Sequence, residues 1–344
     1  MHSEIIRQVL DQGDKRREQR RSFLRVAGAA SAAVAGGAFL ASCGNDDDDN
    51  TSVTPTPTAS ATTAFNDGDI LNFALNLEYL EAEFYLYATT GAGLPAGMRT
   101  GTVGTQGAVT ATGATAVPFT DPIVRQYARE IAADEMAHVR FLRAALGNAA
   151  VAEPAIDIGV GPNNAFSNAA RAATLIGAGA TFNPYASDEA FLIGAFIFED
   201  VGVTAYKGAA PLLSKTYIEA AAGILAAEAY HAGLVRTVLY RKGIQTPTAM
   251  IGNRDLIGAT EAISDLRDNA DNSIDTDQGI RPVGSGVTGT SNLVPTNGDG
   301  IVFSRSAGDV LNIVYLTPTA ATTAPGSFFP NGVNGRINAS SAFA

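Results

Sequence analysis

Beyond its first 42 residues this chain has two histidines, and each follows a glutamate by three positions, as Glu135-Met-Ala-His138 and Glu228-Ala-Tyr-His231. On a helix that spacing puts a carboxylate and an imidazole on one face, so each pair can serve the same metal centre. The 302 residues from Cys43 onward hold 11 glutamates, so composition alone would give both pairs roughly once in a thousand such chains. A lone helical histidine is usually a satisfied core residue; two with the same partner point to a dinuclear metal site.

A dinuclear site needs further carboxylates, and two glutamates stand in matching contexts. Glu78 lies in Leu77-Glu-Tyr-Leu-Glu-Ala-Glu-Phe-Tyr85 and Glu199 in Phe198-Glu-Asp-Val-Gly-Val-Thr-Ala-Tyr206. Each has a tyrosine seven residues on, two helical turns along the same face. The chain is thus an internal repeat: a glutamate with its tyrosine, then a Glu-x-x-His pair, twice over. Helix signals frame all four segments. The first is expected from about Asp67 or Asp69 to Thr90, before Gly91. The second has Thr120 or Asp121 as a cap, Pro122 at its first position and Gly147-Asn148 at its end. Ser187 opens the third, which runs to about Gly208, and the fourth extends from about Leu212 to Lys242 with Gly243 as its stop. Apolar positions such as Phe73, Leu77, Leu80 and Phe84 follow the helical period rather than alternation.

This arrangement resembles the ferritin-like di-iron carboxylate family, in which a four-helix bundle supplies one glutamate from each of two helices and a Glu-x-x-His from each of the other two. The resemblance covers residues 67–243 and implies an all-α fold. It also implies the ligands Glu78, Glu135, His138, Glu199, Glu228 and His231, and two transition-metal ions, iron before manganese. Glu81, three residues after Glu78, is read as a solvated charge, with a place beside Glu78 as the alternative; Glu83 is read as solvated. Asp134 and Asp200 adjoin ligands and are candidates to accept imidazole N–H groups, or else surface aspartates. Tyr85 and Tyr206 are read as core residues rather than redox relays, and as candidates to support the ligands beside them. Residues 148–186, with a short helix over Ala165 to Ile176, supply the crossover that a bundle with parallel second and third helices requires.

Residues 1–42 read as an export address. Arg20-Arg21-Ser-Phe-Leu-Arg25 resembles a twin-arginine signal, and the Ala/Gly-rich stretch after it is too short and too weakly apolar for a permanent membrane span. Leu40-Ala41-Ser42-Cys43 looks like a lipobox whose cysteine receives lipid; an ordinary cleavage site with an incidental cysteine is the alternative. Cys43 is the only cysteine, so neither a disulfide nor a thiolate metal site competes for it. Residues 43–66 then form the lipidated cysteine and a disordered tether. The first 42 residues hold 7 of the 23 basic and 4 of the 34 acidic groups, which leaves 16 and 30 and a net charge of −14. Such a surface disfavours nucleic acid and anionic lipid headgroups, so membrane contact is expected through the anchor alone.

Residues 244–344 read as a loop-rich extension with short helices at Ala259 to Asp268 and Ser306 to Leu316, packed over the bundle or used as an oligomer contact. Together with Leu77 to Tyr85, the run Gly326-Ser-Phe-Phe-Pro-Asn-Gly-Val-Asn-Gly335 looks like the ferritin-like proteins grouped with desiccation-related proteins. Asp275, Asp277 and Asp299 lack the spacing of a calcium loop and are read as solvated.

The expectation is an exported, periplasmic or cell-surface protein whose metal pair meets O2 or peroxide, oxidising ferrous iron or removing peroxide in stress protection. Two rivals stand beside it: a structural desiccation- or stress-related surface protein that metal merely holds together, and a manganese catalase-like activity. A storage cage is not expected, because about 30 residues between the first two helices and about 100 beyond the fourth would interrupt a closed shell; a homodimer is the simpler assembly.

Overall fold

The protein is described by a computed structural model over residues 65–271, 274–284 and 289–341. The readings of the export signal, of Cys43 and of the tether up to residue 64 lie outside these residues.

Helix α1 (Asp67–Thr90) opens on a reciprocal cap in which the Asn66 side chain accepts from the Asp69 N–H and the Asp69 carboxylate accepts from the Asn66 N–H, both at 3.0 Å. Gly91, at φ 75°, closes it in the left-handed region. Asp121 caps α2 (Pro122–Leu146), with Pro122 at its first position. Helix α3 (Ala165–Ala172) is shorter than the expected run to Ile176, because Thr174 takes a positive φ of 57° and breaks the helix. Ser187 caps α4 (Asp188–Ala209).

Helix α5 (Ile218–Gln245) is displaced from the expected Leu212–Lys242 at both ends. At its start, Pro211 sits in a short 3-10 turn and the Ser214 N–H is taken by the Asp67 carboxylate at 2.9 Å. At its end, Gly243 is no stop but a packing glycine: a Cβ there would lie 2.8 Å from Ile257 Cδ1.

Helices α1 and α2 pair, as do α4 and α5. Asn72 bonds to Ala149 and Tyr79 to Arg143, so α1 and α2 are antiparallel. Bonds between Lys242 and Glu189 and between Arg236 and Asp200 make α4 and α5 antiparallel as well. Bonds from Tyr85 to Glu199 and from Tyr206 to Glu78 make α1 and α4 antiparallel too, so α2 and α4 are parallel. Their N-termini meet at the Asp188 carboxylate, which accepts from the N–H groups of Thr120 and Asp121 at 3.1 and 3.0 Å. The chain between them is therefore the long crossover, and its strand β2 (Ile156–Asp157) pairs in parallel with β1 (Val109–Thr110) from the segment between α1 and α2.

Burial divides the four helices. In α1, 16 of 24 residues are buried and in α4, 18 of 22, whereas α2 has 7 of 25 and α5 has 10 of 28. The first pair is enclosed on nearly every side, and the second shows one apolar face inward, as a surface helix does. The C-terminal extension supplies much of the enclosure. After a small hairpin of β3 (Met250–Ile251) and β4 (Arg254–Asp255), α6 (Leu256–Asp271) packs on α4 and α5, and α7 (Ala307–Val314) on α4 and α6. The ring of Phe328 lies 4.8 Å from that of Phe198 and 5.1 Å from that of Phe166.

A buried network of charges fastens the extension. Asp200 of α4 accepts from Arg236 at 2.8 Å and from Arg267 at 3.0 Å; Arg305 reaches Asp271 at 2.7 Å and Asp277 at 2.6 Å; Arg267 also bonds to Asp277. Asp277 is thus not the solvated loop acid expected, because two buried guanidinium groups take both its oxygens. Asp275 and Asp299 are exposed. Losing one member of such a network leaves an uncompensated buried charge, at a cost of about 3–5 kcal/mol. Among the described residues no helix is long and apolar enough to cross a membrane.

Candidate metal centre

The repeat seen in the sequence closes on itself in space. Glu78 on α1, Glu135 and His138 on α2, Glu199 on α4, and Glu228 and His231 on α5 converge at mid-bundle in two overlapping groups. Glu78, Glu135, His138 and Glu228 form one; Glu199, Glu228 and His231 form the other, with one ligand atom from each residue lying within 4.8 Å of the rest of its group. Glu228 belongs to both. Glu135 reaches both as well, with Oε2 at 3.5 Å from His138 Nδ1 and Oε1 at 2.9 Å from His231 Nδ1. His138 Nδ1 is also 3.2 Å from Glu78 Oε2, and His231 Nδ1 is 3.7 Å from Glu199 Oε2.

The two tyrosines bind across the repeat rather than within it. The Tyr85 hydroxyl donates to Glu199 Oε1, and the Tyr206 hydroxyl to Glu78 Oε1. Each helix therefore orients the carboxylate of the other, leaving the second oxygen of each glutamate to face the centre. The two tyrosines thus hold the carboxylates from behind and do more than fill the core.

Asp134 has Oδ2 at 3.2 Å from His231 Nε2, and its side chain is 47% exposed. Asp200 does not touch an imidazole: its carboxylate is buried and turned to Arg236 and Arg267 instead. Glu81 and Glu83 overturn the solvated readings. Both are buried, because α1 is enclosed and offers no solvent face. Glu81 stands beside the cluster, where burial and then the charges of Glu135, Glu199 and Glu78 hold its carboxyl well above the usual range. Glu83 accepts from the Leu94 N–H at 3.1 Å and lies 3.7 Å from Arg99, which also bonds to the buried Glu153.

The donor set suits metal. Both oxygens of Glu135 and of Glu228, Glu199 Oε2 and His231 Nδ1 are buried without any hydrogen-bond partner; the close approach of His231 Nδ1 to Glu135 lacks hydrogen-bond geometry. Buried polar atoms are rarely left so, and six in one place, all of metal-ligating type, call for a cation. Electrostatics agree. Burial, and then Glu135, raise Glu78 to about 7; burial raises Glu199 to about 8 and pushes Glu228 well up. Burial opposes ionisation of Glu135 too, yet its contacts with His138 and His231 hold it at about 2. Burial disfavours the imidazolium forms, but Glu78 and Glu135 lift His138 to about 11, and Glu135 and Glu199 lift His231 to about 9. Protons thus neutralise the metal-free cluster, and divalent cations would displace them.

A buried glutamate and histidine cluster inside an antiparallel four-helix bundle with a long crossover is an arrangement that fits metal ions. The chain belongs to the ferritin-like domain family, whose pattern it matches over residues 66–241. It is 29% identical over 275 residues to a ferritin-like catalase, Nec2, of Nesocodon mauritianus, covering 79% of this chain and 84% of that one. It is 27% identical over 280 residues to the desiccation-related protein PCC13-62 of Craterostigma plantagineum, with the same coverage of 79% and 84%. No solved structure matches it significantly.

Proposed function

We propose that this chain is an exported protein that disproportionates hydrogen peroxide, two molecules yielding two of water and one of O2, at a site whose glutamates and histidines would hold two metal ions. The observation that carries this reading is the sharing of Glu135 and Glu228 between the two imidazole-bearing groups, a sharing that would couple two ions into one centre. The similarity to a protein named as a catalase supports peroxide as the substrate. Similarity to a desiccation-related protein supports a stress setting.

Iron or manganese suits the hard oxygen and nitrogen donors and would supply a two-electron change shared between two ions. The protein's own part is positional. Glu78, Glu199 and the two imidazoles would hold the ends of the centre, and Glu135 and Glu228 its middle. Tyr85 and Tyr206 lock the end carboxylates from behind. Helices α1 and α4 exclude bulk water, so only a small substrate is admitted, and His138, at 12% side-chain exposure against 3% for His231, marks the more open side. Export rests on Arg20-Arg21 and anchoring on Cys43, with the bundle on the outer side of the membrane.

The test is O2 evolution from peroxide by the purified full-length chain loaded with manganese or with iron, alongside ferrous oxidation. Turnover that disappears in Glu135→Ala supports the proposal. A fully loaded protein inert to peroxide and to ferrous iron leaves the structural rival standing. Fractionation of Cys43→Ala checks the anchor, and unchanged membrane association would remove it.

A further inference from the structure

Helix α5 turns one face to the bundle through Ile224, Glu228, His231 and Val235, all buried. Its outer face has a second regularity. Gly223, Ala226, Tyr230, Gly233, Thr237 and Tyr240 recur at alternating steps of three and four residues, the spacing of a helix that packs along another helix. None of them is charged, and from Ala220 to Tyr240 the charged side chains, Glu228 and Arg236, are both buried. The outer face of α2, by contrast, exposes Arg125, Arg129, Glu130 and Arg140, as a solvated face does.

Packing within the chain does not explain this face. A Cβ at Gly223 or at Gly233 would meet nothing within 4 Å, yet glycine inside a helix is less stable than alanine. Tyr230, 75% exposed, projects from between them. Beside it is a groove of about 330 Å³, lined by Tyr230, Gly233, Leu234 and Thr237 of α5 and by Ile123 and Tyr127 of α2. Residues 230, 233, 234 and 237 are the four corners of the kind of hole into which a facing helix inserts one side chain. A projecting tyrosine therefore stands next to an open hole.

Side-chain size selects the occupant and its direction. The gaps run three, four, three, four, three and read the same backwards, so a second α5 can lie antiparallel on the first in register. A two-fold axis level with His231 and Ala232 then sets Tyr230 on Gly233 of the second copy, Ala226 on Thr237 and Gly223 on Tyr240, each pair occurring twice. Every layer puts a larger side chain on a smaller one. The parallel register would stack glycine on glycine and tyrosine on tyrosine, with gaps between clashes. Charge agrees at the ends: Glu219 comes opposite Ile244 of the second copy, one turn from that copy's Arg241, whose side chain is 41% exposed. A chain with a net charge of −14 beyond residue 42 repels its own copies, least where the contact carries no charge.

We propose that this chain forms a two-fold dimer through α5, its antiparallel helices interlocked by Tyr230 of each copy over Gly233 of the other. The inference is independent of the peroxide reading. Two experiments on the full chain test it, both in a Cys43→Ala background that leaves no native cysteine. In the first, Ala226→Cys and Thr237→Cys are introduced together and oxidised. The two lie about 16 Å apart along one helix and cannot pair within a chain, so a covalent dimer is expected. Ala226→Cys alone should give none, since only the parallel register brings position 226 to its own copy. No covalent dimer from the double variant overturns the contact, and an equal yield from the single variant overturns the register. In the second, sedimentation at micromolar protein should show a dimer. Gly233→Leu has room within one copy but fills the hole, and Tyr230→Glu changes an exposed position. Each should raise the dimer dissociation constant about 100-fold with helical circular dichroism unchanged. A monomeric parent protein, or variants that dimerise as tightly as it does, would overturn the proposal.

Discussion

The two halves of the repeat make the same centre from different surroundings. Glu78 with Tyr85 and Glu199 with Tyr206 are interchangeable in role, each tyrosine serving the opposite glutamate. Between these fixed points the halves diverge. Three residues after the ligand, α1 has Glu81 and α4 has Gly202; five residues after, α1 has Glu83 and α4 has Thr204. The first half adds buried carboxylates, which the segment between α1 and α2 closes over with Arg99. The second half removes bulk, and the extension closes over it with Arg305. The histidines differ likewise: Asp134 backs His231, while Ala227, at the matching position, gives His138 nothing to bond. The repeat thus keeps its cluster geometry only at the glutamates, histidines and tyrosines, and elsewhere each half answers to the segment that covers it.

The largest expected effect tests what the halves share. Glu135→Ala removes the carboxylate that reaches both histidines, and metal analysis of the purified variant should show both ions lost; retention of two ions would refute the bridging role. Next comes a position where the halves differ. Gly202→Ala forces Glu228 from its place, since the new Cβ would sit 2.3 Å from its carboxylate, and at least one ion should be lost. Glu81→Ala, at the matching position of α1, should keep both. Equal metal content in the two variants would erase the contrast.

Smaller effects follow. Tyr85→Phe and Tyr206→Phe should each weaken metal binding about 10-fold to 100-fold in competition with a chelator, and by similar factors, because the crossed bonds are equivalent. Asp134→Ala should cost less, a few-fold, since an exposed carboxylate is well screened. Ala227→Asp should move affinity the other way by giving His138 the same support. Unequal tyrosine variants, or no response at 227, would show the pseudo-symmetry to be superficial.

The smallest expected effect is on pH dependence. Burial, and then Glu153, raise Glu83 to about 8 from 4.5. The unfolded chain gives up this proton near 4.5 and the folded chain only near 8. Glu83 therefore costs no stability below about 4.5 and progressively more as pH rises toward 8. Glu83→Gln should flatten that decline in thermal melts between pH 5 and 8, as sampled with metal removed, and an unaltered slope would contradict the assignment.

The bundle was legible in the sequence because its signals are local. Caps at Asp121 and Ser187, Gly91 at a helix end and the Glu-x-x-His spacing each act within a turn or two. Gly243 misled because a glycine that stops a helix and one that admits a neighbour look alike until Ile257 is placed. Glu81, Glu83 and Asp277 misled for a related reason: a charged residue is solvated by default, and only the covering segments remove its water. The buried arginines Arg236, Arg267 and Arg305 carried no readable signal, since their partners are up to 101 residues away, as for Arg305 and Thr204.

By itself the sequence determined which side chains can meet a metal: periodicity set glutamate, tyrosine and histidine on common helix faces, twice. Only the tertiary structure decided how they are used. The crossing of the tyrosines, the reach of Glu135 and Glu228 over both groups, and the burial that leaves their oxygens in need of a cation all depend on how separate helices pack. Spacing along a helix is a property of one segment, whereas burial and cross-pairing arise when four helices and a C-terminal extension exclude water from the same volume.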